Sequence, residues 1–206
     1  MKMNTVHLFV FDSMADWEAA YAISAINNPK FQLVPGRFRV ATVAETLDPI
    51  ITMGGVRIQP DMTLGELSPV ASSLLILPGG EQWYGGGNQP ALDKAHNFIS
   101  VGVPVAAICA ATQALARAGL LDKRRHTSND REYLAGTCYQ GAIHYCDVPA
   151  VTGKNVITAS GLAPIDFAYE IFKLLNLYSA ATLDAWYALY KGGDPAKFYD
   201  LARSAA

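Results

Sequence analysis

The run Val103-Pro104-Val105-Ala106-Ala107-Ile108-Cys109-Ala110-Ala111-Thr112-Gln113-Ala114-Leu115-Ala116 constrains this chain more than any other stretch. Its first half is an apolar segment too short for a helix, and its second half is alanine-rich and helical in character. A buried parallel strand that passes straight into a helix needs a sharp turn, and the small residues Ala107 and Ala111 around Cys109 permit one. Such a turn lifts one side chain above the sheet and sets it against a helix N-terminus. The free N–H groups and dipole there favour negative charge, so the pattern predicts a thiol that ionises more readily than usual. The competing reading is a small core cysteine, because free cysteine is among the most buried residue types.

The rest of the chain supplies the sheet that this junction requires. Residues 5–11 read as a first strand of continuous apolar character, followed by a helix to about Ile26 with Trp17, Ala20, Tyr21 and Ser24 on one face. Residues 37–43 read as a second strand, and Gly54-Gly55 between two β-prone runs signals a hairpin. Residues 73–77 form a central strand broken by Pro78-Gly79-Gly80, and a helix spans about 90–100. After Gly119, residues 124–128 and 142–145 read as short strands around a helical turn at 130–134. Residues 150–152 and 156–159 pair across Gly153-Lys154-Asn155. A helix then begins at Pro164 with Ile165, Ala168, Tyr169, Phe172 and Leu175 as its apolar face, and the tail from Ser179 gives one or two more helices, split by Gly192-Gly193-Asp194-Pro195.

Strands alternating with helices predict an α/β fold with a doubly wound, mainly parallel sheet. Without a linker or an internal repeat, residues 1–206 read as one domain, with a core at about 5–175 and a C-terminal helical extension at about 179–206. In such sheets ligands bind beyond the carboxyl ends of the strands, where Asp16, Gly79-Gly80 and Cys109 converge. A formal net charge of -2 offers no footprint for nucleic acid or an anionic membrane. No apolar run approaches the ~20 residues of a membrane span. The N-terminal residues lack a signal-peptide pattern and three cysteines make no disulfide framework, so a cytoplasmic location is expected.

At the convergence point, a Cys109 thiolate would be the nucleophile, with the N–H groups of Gly80 and Ala110 receiving the oxyanion formed by its attack. A neighbouring carboxylic acid stabilises the thiolate when protonated and raises the thiol pKa when ionised; Asp16 or Glu18 can fill that role. For Glu18 the alternative is an ordinary acid in a first helical turn. His7, His96, His126 and His144 read as structural, and Cys138, His144 and Cys146 lack the spacing of a zinc site. No metal and no cofactor is expected.

The set Ala15-Asp16-Trp17-Glu18, Leu77-Pro78-Gly79-Gly80, residues 107–112, Ala118-Gly119-Leu120-Leu121 and His126-Thr127-Ser128-Asn129 resembles the PfpI / Parkinson-disease protein seven superfamily, within the class I glutamine amidotransferase-like proteins. The resemblance implies a flavodoxin-like fold, Cys109 as the elbow cysteine and Gly80 and Ala110 as oxyanion amides. It places Asp16 at the position of the acid that hydrogen-bonds the thiolate, which is a Glu in many members and an Asp in the isocyanide hydratases. Asn129 falls where some members carry a pocket histidine or tyrosine, and Ser160-Gly161 where the pocket wall passes. Glu81, Thr112, Asn129, Ser160 and Gly161 are thus the substrate-binding candidates.

Two departures from the family pattern narrow the activity. The protease branch carries a histidine directly after the cysteine, where Ala110 stands here, and the glutaminases use a late His-x-Glu that residues 159–164 lack. The expected function is a cysteine-dependent hydrolase or lyase acting on a small electrophile, a 2-oxoaldehyde or an isocyanide. The alternatives are a redox-sensing stress-response protein that uses the same cysteine and a structural relative without chemistry. A small-molecule substrate and a homodimer are the partners the resemblance implies.

Overall fold

The computed structural model describes residues 4–204. β1 (Asn4–Phe9), β2 (Phe38–Ala44), β5 (Met62–Thr63), β6 (Leu74–Leu77), β7 (Val105–Ile108), β9 (Val156–Ala159) and β8 (Ala150–Gly153) form one sheet in the order β5-β2-β1-β6-β7-β9-β8. All neighbours run parallel except β8, which pairs antiparallel with β9 across the expected hairpin. β3 (Ile50–Ile51) and β4 (Arg57–Ile58) make a separate hairpin around Gly54-Gly55. Every residue of β6, β7 and β9 is buried, as continuous apolar strands covered on both faces must be.

The helices are α1 (Asp16–Asn27), α2 (Gln89–Ser100), α3 (Ala110–Arg117), α4 (Arg131–Ala135), α5 (Pro164–Leu175), α6 (Ala180–Gly192) and α7 (Lys197–Ser204). The doubly wound α/β architecture is as expected. α1 packs on α5, α5 on α6 and α6 on α7, so the C-terminal extension wraps the outside of this helical layer. Asp166 ties it down: buried on α5, its carboxylate accepts from Tyr187 Oη at 2.7 Å and Lys191 Nζ at 2.7 Å, both on α6.

Two expected strands are absent. Residues 124–128 contribute only an isolated bridge from His126 to Tyr145, because side chains take the place of the ladder. Thr158 Oγ1 accepts from the Thr127 amide, and Thr127 Oγ1 donates to the Val148 carbonyl. Residues 142–144 form a 3-10 turn closed by a bond from the His144 amide to the Gly141 carbonyl. The buried face of α1 lies beside the face that carries Trp17, Ala20, Tyr21 and Ser24. Glu18, Ala19, Ala22 and Ile26 are its buried residues, while Trp17, Ala20 and Ser24 are exposed and Tyr21 meets Trp186 and Tyr190 of α6 edge-on.

Candidate active site

β7 ends at Ile108 and α3 begins at Ala110, so the whole direction change falls on Cys109, which takes φ 77° and ψ -115°. A non-glycine residue held there stores strain of about 1–3 kcal/mol and persists only where its surroundings fix it. They do so here. The Cys109 amide donates to the Ala159 carbonyl of β9, and the Cys109 carbonyl accepts from both the amide and Oγ1 of Thr112. Thr112 is fully buried and also hydrogen-bonds Ser128 Oγ at 2.6 Å. Thr112 therefore supports the turn from beneath and does not reach the cleft, contrary to the substrate-binding expectation.

The acid beside the thiol is Glu18, not Asp16. Glu18 is buried on the first turn of α1, takes the Gly79 amide at 2.5 Å and lies beside Cys109, where a Cβ on Gly79 would sit 2.8 Å from both Glu18 Oε2 and Cys109 Cβ. Asp16, two residues earlier, points roughly 200° away around the helix at about 100° per residue. Its carboxylate clamps the β3–β4 hairpin, accepting from Thr52 Oγ1 at 2.5 Å and the Gly54 amide at 2.7 Å. The usable signal was periodicity: Glu18 shares the i, i+4, i+8 stripe of Ala22 and Ile26, and a carboxylate on a core stripe needs a reason to be there.

Burial raises the Glu18 pKa above the ordinary carboxylate value, against the two hydrogen bonds it accepts. Burial, then the Glu18 charge, push the Cys109 thiol up to about 11, while Asn129 and the Ala110 amide pull the other way. The readily ionised thiol expected from the helix N-terminus is thus overridden by desolvation and a like charge. While Glu18 is ionised, its charge opposes a thiolate at Cys109. Protonating Glu18 removes the repulsion and leaves a hydrogen-bond donor facing the sulfur.

Asn129 Nδ2 donates to Cys109 Sγ at 3.4 Å and its Oδ1 accepts from the Gly161 amide at 2.9 Å, so this side chain fixes the distance between thiol and cleft wall. Glycine is required at three points. A Cβ on Gly161 would lie 2.7 Å from Cys109 Sγ, and one on Gly79 would lie 2.8 Å from both Cys109 Cβ and Glu18 Oε2. One on Gly80 would meet Phe11 Cε2 and the Ser13 carbonyl at 2.7 Å each. Trp17, Glu18, Cys109, Asn129, Asp130, Ser160, Gly161 and Leu162 line a cleft of about 550 Å³. Of the substrate-binding candidates, Asn129, Ser160 and Gly161 line this cleft, which also takes in Trp17, Asp130 and Leu162, while Glu81 is an exposed residue of the 3-10 segment after Gly80, outside the cleft lining. His126 is fully buried between the Arg124 carbonyl and Tyr139 Oη, and His7 hydrogen-bonds Ser72, so neither serves the thiol.

A parallel sheet carrying a cysteine on a strained strand-to-helix turn, with a buried glutamate against the sulfur, defines a class, and the chain belongs to the DJ-1/PfpI family, whose model matches residues 4–174. Among relatives, the chain is 40% identical over 204 residues to a Bacillus subtilis protein named uncharacterized protease YoaZ, covering 98% of this chain and 97% of that one. A second Bacillus subtilis protein, named uncharacterized protease YdeA, is 32% identical over 84% of each chain. A solved thiJ/pfpI family protein from Bacillus anthracis superposes with a TM-score of 0.91 at 42% identity, covering 100% of this chain and 99% of that one. A DJ-1 superfamily protein from Agrobacterium tumefaciens gives 0.82 at 30% identity, covering 93% and 100%. The C-terminal helices, beyond the family match, are therefore shared with the Bacillus anthracis structure.

Proposed function

We propose that this protein is a cysteine-dependent enzyme that adds the Cys109 thiol to the aldehyde carbon of a 2-oxoaldehyde and releases a 2-hydroxy acid. The observation that carries this reading is the buried Glu18 carboxylate beside Cys109 in the cleft, so close that a single Cβ on Gly161 would touch both, at 2.7 Å from Sγ and 3.2 Å from Oε1. As Sγ attacks, Glu18 takes the thiol proton, and the carbonyl electron pair moves to oxygen, which accepts from the Gly80 and Ala110 amides. Glu18 returns its proton to that oxygen, giving a hemithioacetal. Glu18 then removes the hydrogen from the former aldehyde carbon, and reprotonation at the neighbouring carbon yields a thioester. The aldehyde carbon is oxidised and the ketone carbon reduced, so no external redox partner is consumed. Water cleaves the thioester and restores the thiol.

An isocyanide substrate loses support, because its resemblance rested on an aspartate at the acid position and Asp16 is committed to the hairpin. Proteolysis, despite the names of the Bacillus subtilis relatives, lacks a histidine partner for the thiol: Cys109 Sγ accepts from Asn129 Nδ2 and shares its cleft with Glu18, and no histidine is among the cleft-lining residues. Redox sensing is favoured by a thiolate, and burial together with the neighbouring Glu18 carboxylate pushes the Cys109 thiol the other way. A homodimer belongs to the same proposal, supported by the apolar row Leu47, Ile51, Met53 and Val56, each about half exposed at or beside the β3–β4 hairpin. The test is turnover of glyoxal, methylglyoxal and phenylglyoxal by wild type and Cys109→Ala. Product formation confined to the wild type is expected; equal rates for the two proteins would overturn the proposal.

A further inference from the structure

The cleft is larger and more apolar than a three-carbon carbonyl needs. Its volume of about 550 Å³ lies in the range of roughly 300–1,000 Å³ that takes ligands of drug-like bulk. Methylglyoxal has five heavy atoms and would leave most of that space to water. Two large hydrophobic side chains flank the thiol without covering each other: Trp17 is 49% exposed and Leu162 is 94% exposed. The Trp17 ring is held through its side chain and Leu162 through its backbone. Trp17 Nε1 donates to the Gly161 carbonyl at 3.3 Å, and the Leu162 amide donates to Ser160 Oγ at 3.3 Å. Between them Gly161 lies against Cys109 Sγ, so the apolar walls begin where the reacting carbon would sit.

A leucine almost wholly in water beside a fixed indole, at the mouth of a cleft with a thiol at its floor, is an apolar surface arranged for a ligand. We infer that the substrate's carbonyl carries an aromatic or extended apolar substituent, at least the size of a phenyl ring, which packs against Trp17 and Leu162 while the carbonyl meets Cys109. Trp17 and Leu162 are the specificity-determining residues. This rests on the carbonyl-addition reading for the identity of the reacting group, but the apolar subsite can be tested without turnover.

The test compares second-order alkylation of Cys109 by iodoacetamide and by N-benzyl-iodoacetamide, each normalised to glutathione. Wild type should favour the benzyl reagent by about tenfold, the worth of burying roughly half a phenyl group. Trp17→Ala and Leu162→Ala should each reduce that preference severalfold, and Trp17→Phe should keep most of it. A normalised ratio near one, or a ratio unchanged in both alanine variants, overturns the inference. A Trp17→Ala protein with altered oligomeric state and unchanged ratio does so too, by making the ring an interface residue. Kinetics separate the two claims. Equal kcat/KM for phenylglyoxal and methylglyoxal sinks the inference and spares the chemistry; no turnover with a retained benzyl preference sinks the chemistry and spares the subsite.

Discussion

Replacing Glu18 by glutamine should make Cys109 more reactive toward a simple alkylating agent while making the protein a worse catalyst. The thiol is held at about 11, with the Glu18 charge the second-largest cause after burial. A unit charge about 4 Å away at an effective dielectric of about 20 contributes about 4 kcal/mol, an upper bound of about three pKa units. Because Cys109 is half-buried and solvent screens part of the field, a fall of about one to two units is the working expectation. At pH 8 that multiplies the thiolate fraction, and with it the iodoacetamide rate, by about 10–100. The assay is the pH dependence of Cys109 alkylation followed by intact mass, between pH 6 and 11, in wild type, Glu18→Gln and Asp16→Asn. Asp16→Asn should track wild type, since its carboxylate faces the hairpin. An unchanged or higher thiol pKa in Glu18→Gln would refute the electrostatic reading of the pair. A shift in Asp16→Asn equal to that in Glu18→Gln would refute the assignment of the acid.

Stability should carry the same signature. The folded thiol keeps its proton between the ordinary value of 9.0 and about 11, where the unfolded chain releases it, so stability falls as pH rises through that window. Partial exposure discounts the loss to about 1–2 kcal/mol, read as a steeper decline in urea unfolding for wild type than for Cys109→Ser. Gly161→Ala would bring a methyl group to 2.7 Å from Cys109 Sγ and 3.2 Å from Glu18 Oε1. Turnover should drop by about 100-fold or more through displacement of the pair, with far-UV circular dichroism unchanged; full activity would mean the cleft is looser than described. Asp166→Asn removes the carboxylate that holds Tyr187 and Lys191, at a cost of about 1–2 kcal/mol in unfolding free energy because the Lys191 side chain is 42% exposed and can turn to water. A loss below about 0.5 kcal/mol would show that aromatic packing alone seats α6.

The architecture was legible wherever one physical signal dominated. β1, β6 and β7 are continuous apolar runs, the β3–β4 and β8–β9 hairpins announce themselves through glycine turns, and Gly192-Gly193 separates α6 from α7. Cys109 was found the same way, because only a small-residue strand-to-helix junction fits residues 103–116. Failure came where two signals competed. α1 is covered on more than one side: Tyr21 packs on Trp186 of α6, while Glu18, Ala19, Ala22 and Ile26 form its buried stripe. Asp16 was favoured by its place just after the first strand and by the family resemblance, and neither consideration tells which way a side chain on the first helical turn points. Residues 124–128 look like a strand by composition, yet the buried His126 ring and the Thr127 hydroxyl take partners through side chains, which no backbone periodicity encodes. The thiol pKa followed from a burial and a neighbouring charge that exist only in three dimensions.

The most direct test of the Glu18–Cys109 pair is steady-state turnover of phenylglyoxal by wild type, Glu18→Gln and Asp16→Asn at one pH. Loss of a general acid–base typically removes 10²–10⁴ of the rate. The expected result is a drop of that order in Glu18→Gln, with Asp16→Asn within about fivefold of wild type, as befits a residue that holds a hairpin. Wild-type turnover in Glu18→Gln, or equal losses in the two variants, would contradict the assignment of Glu18 as the catalytic acid.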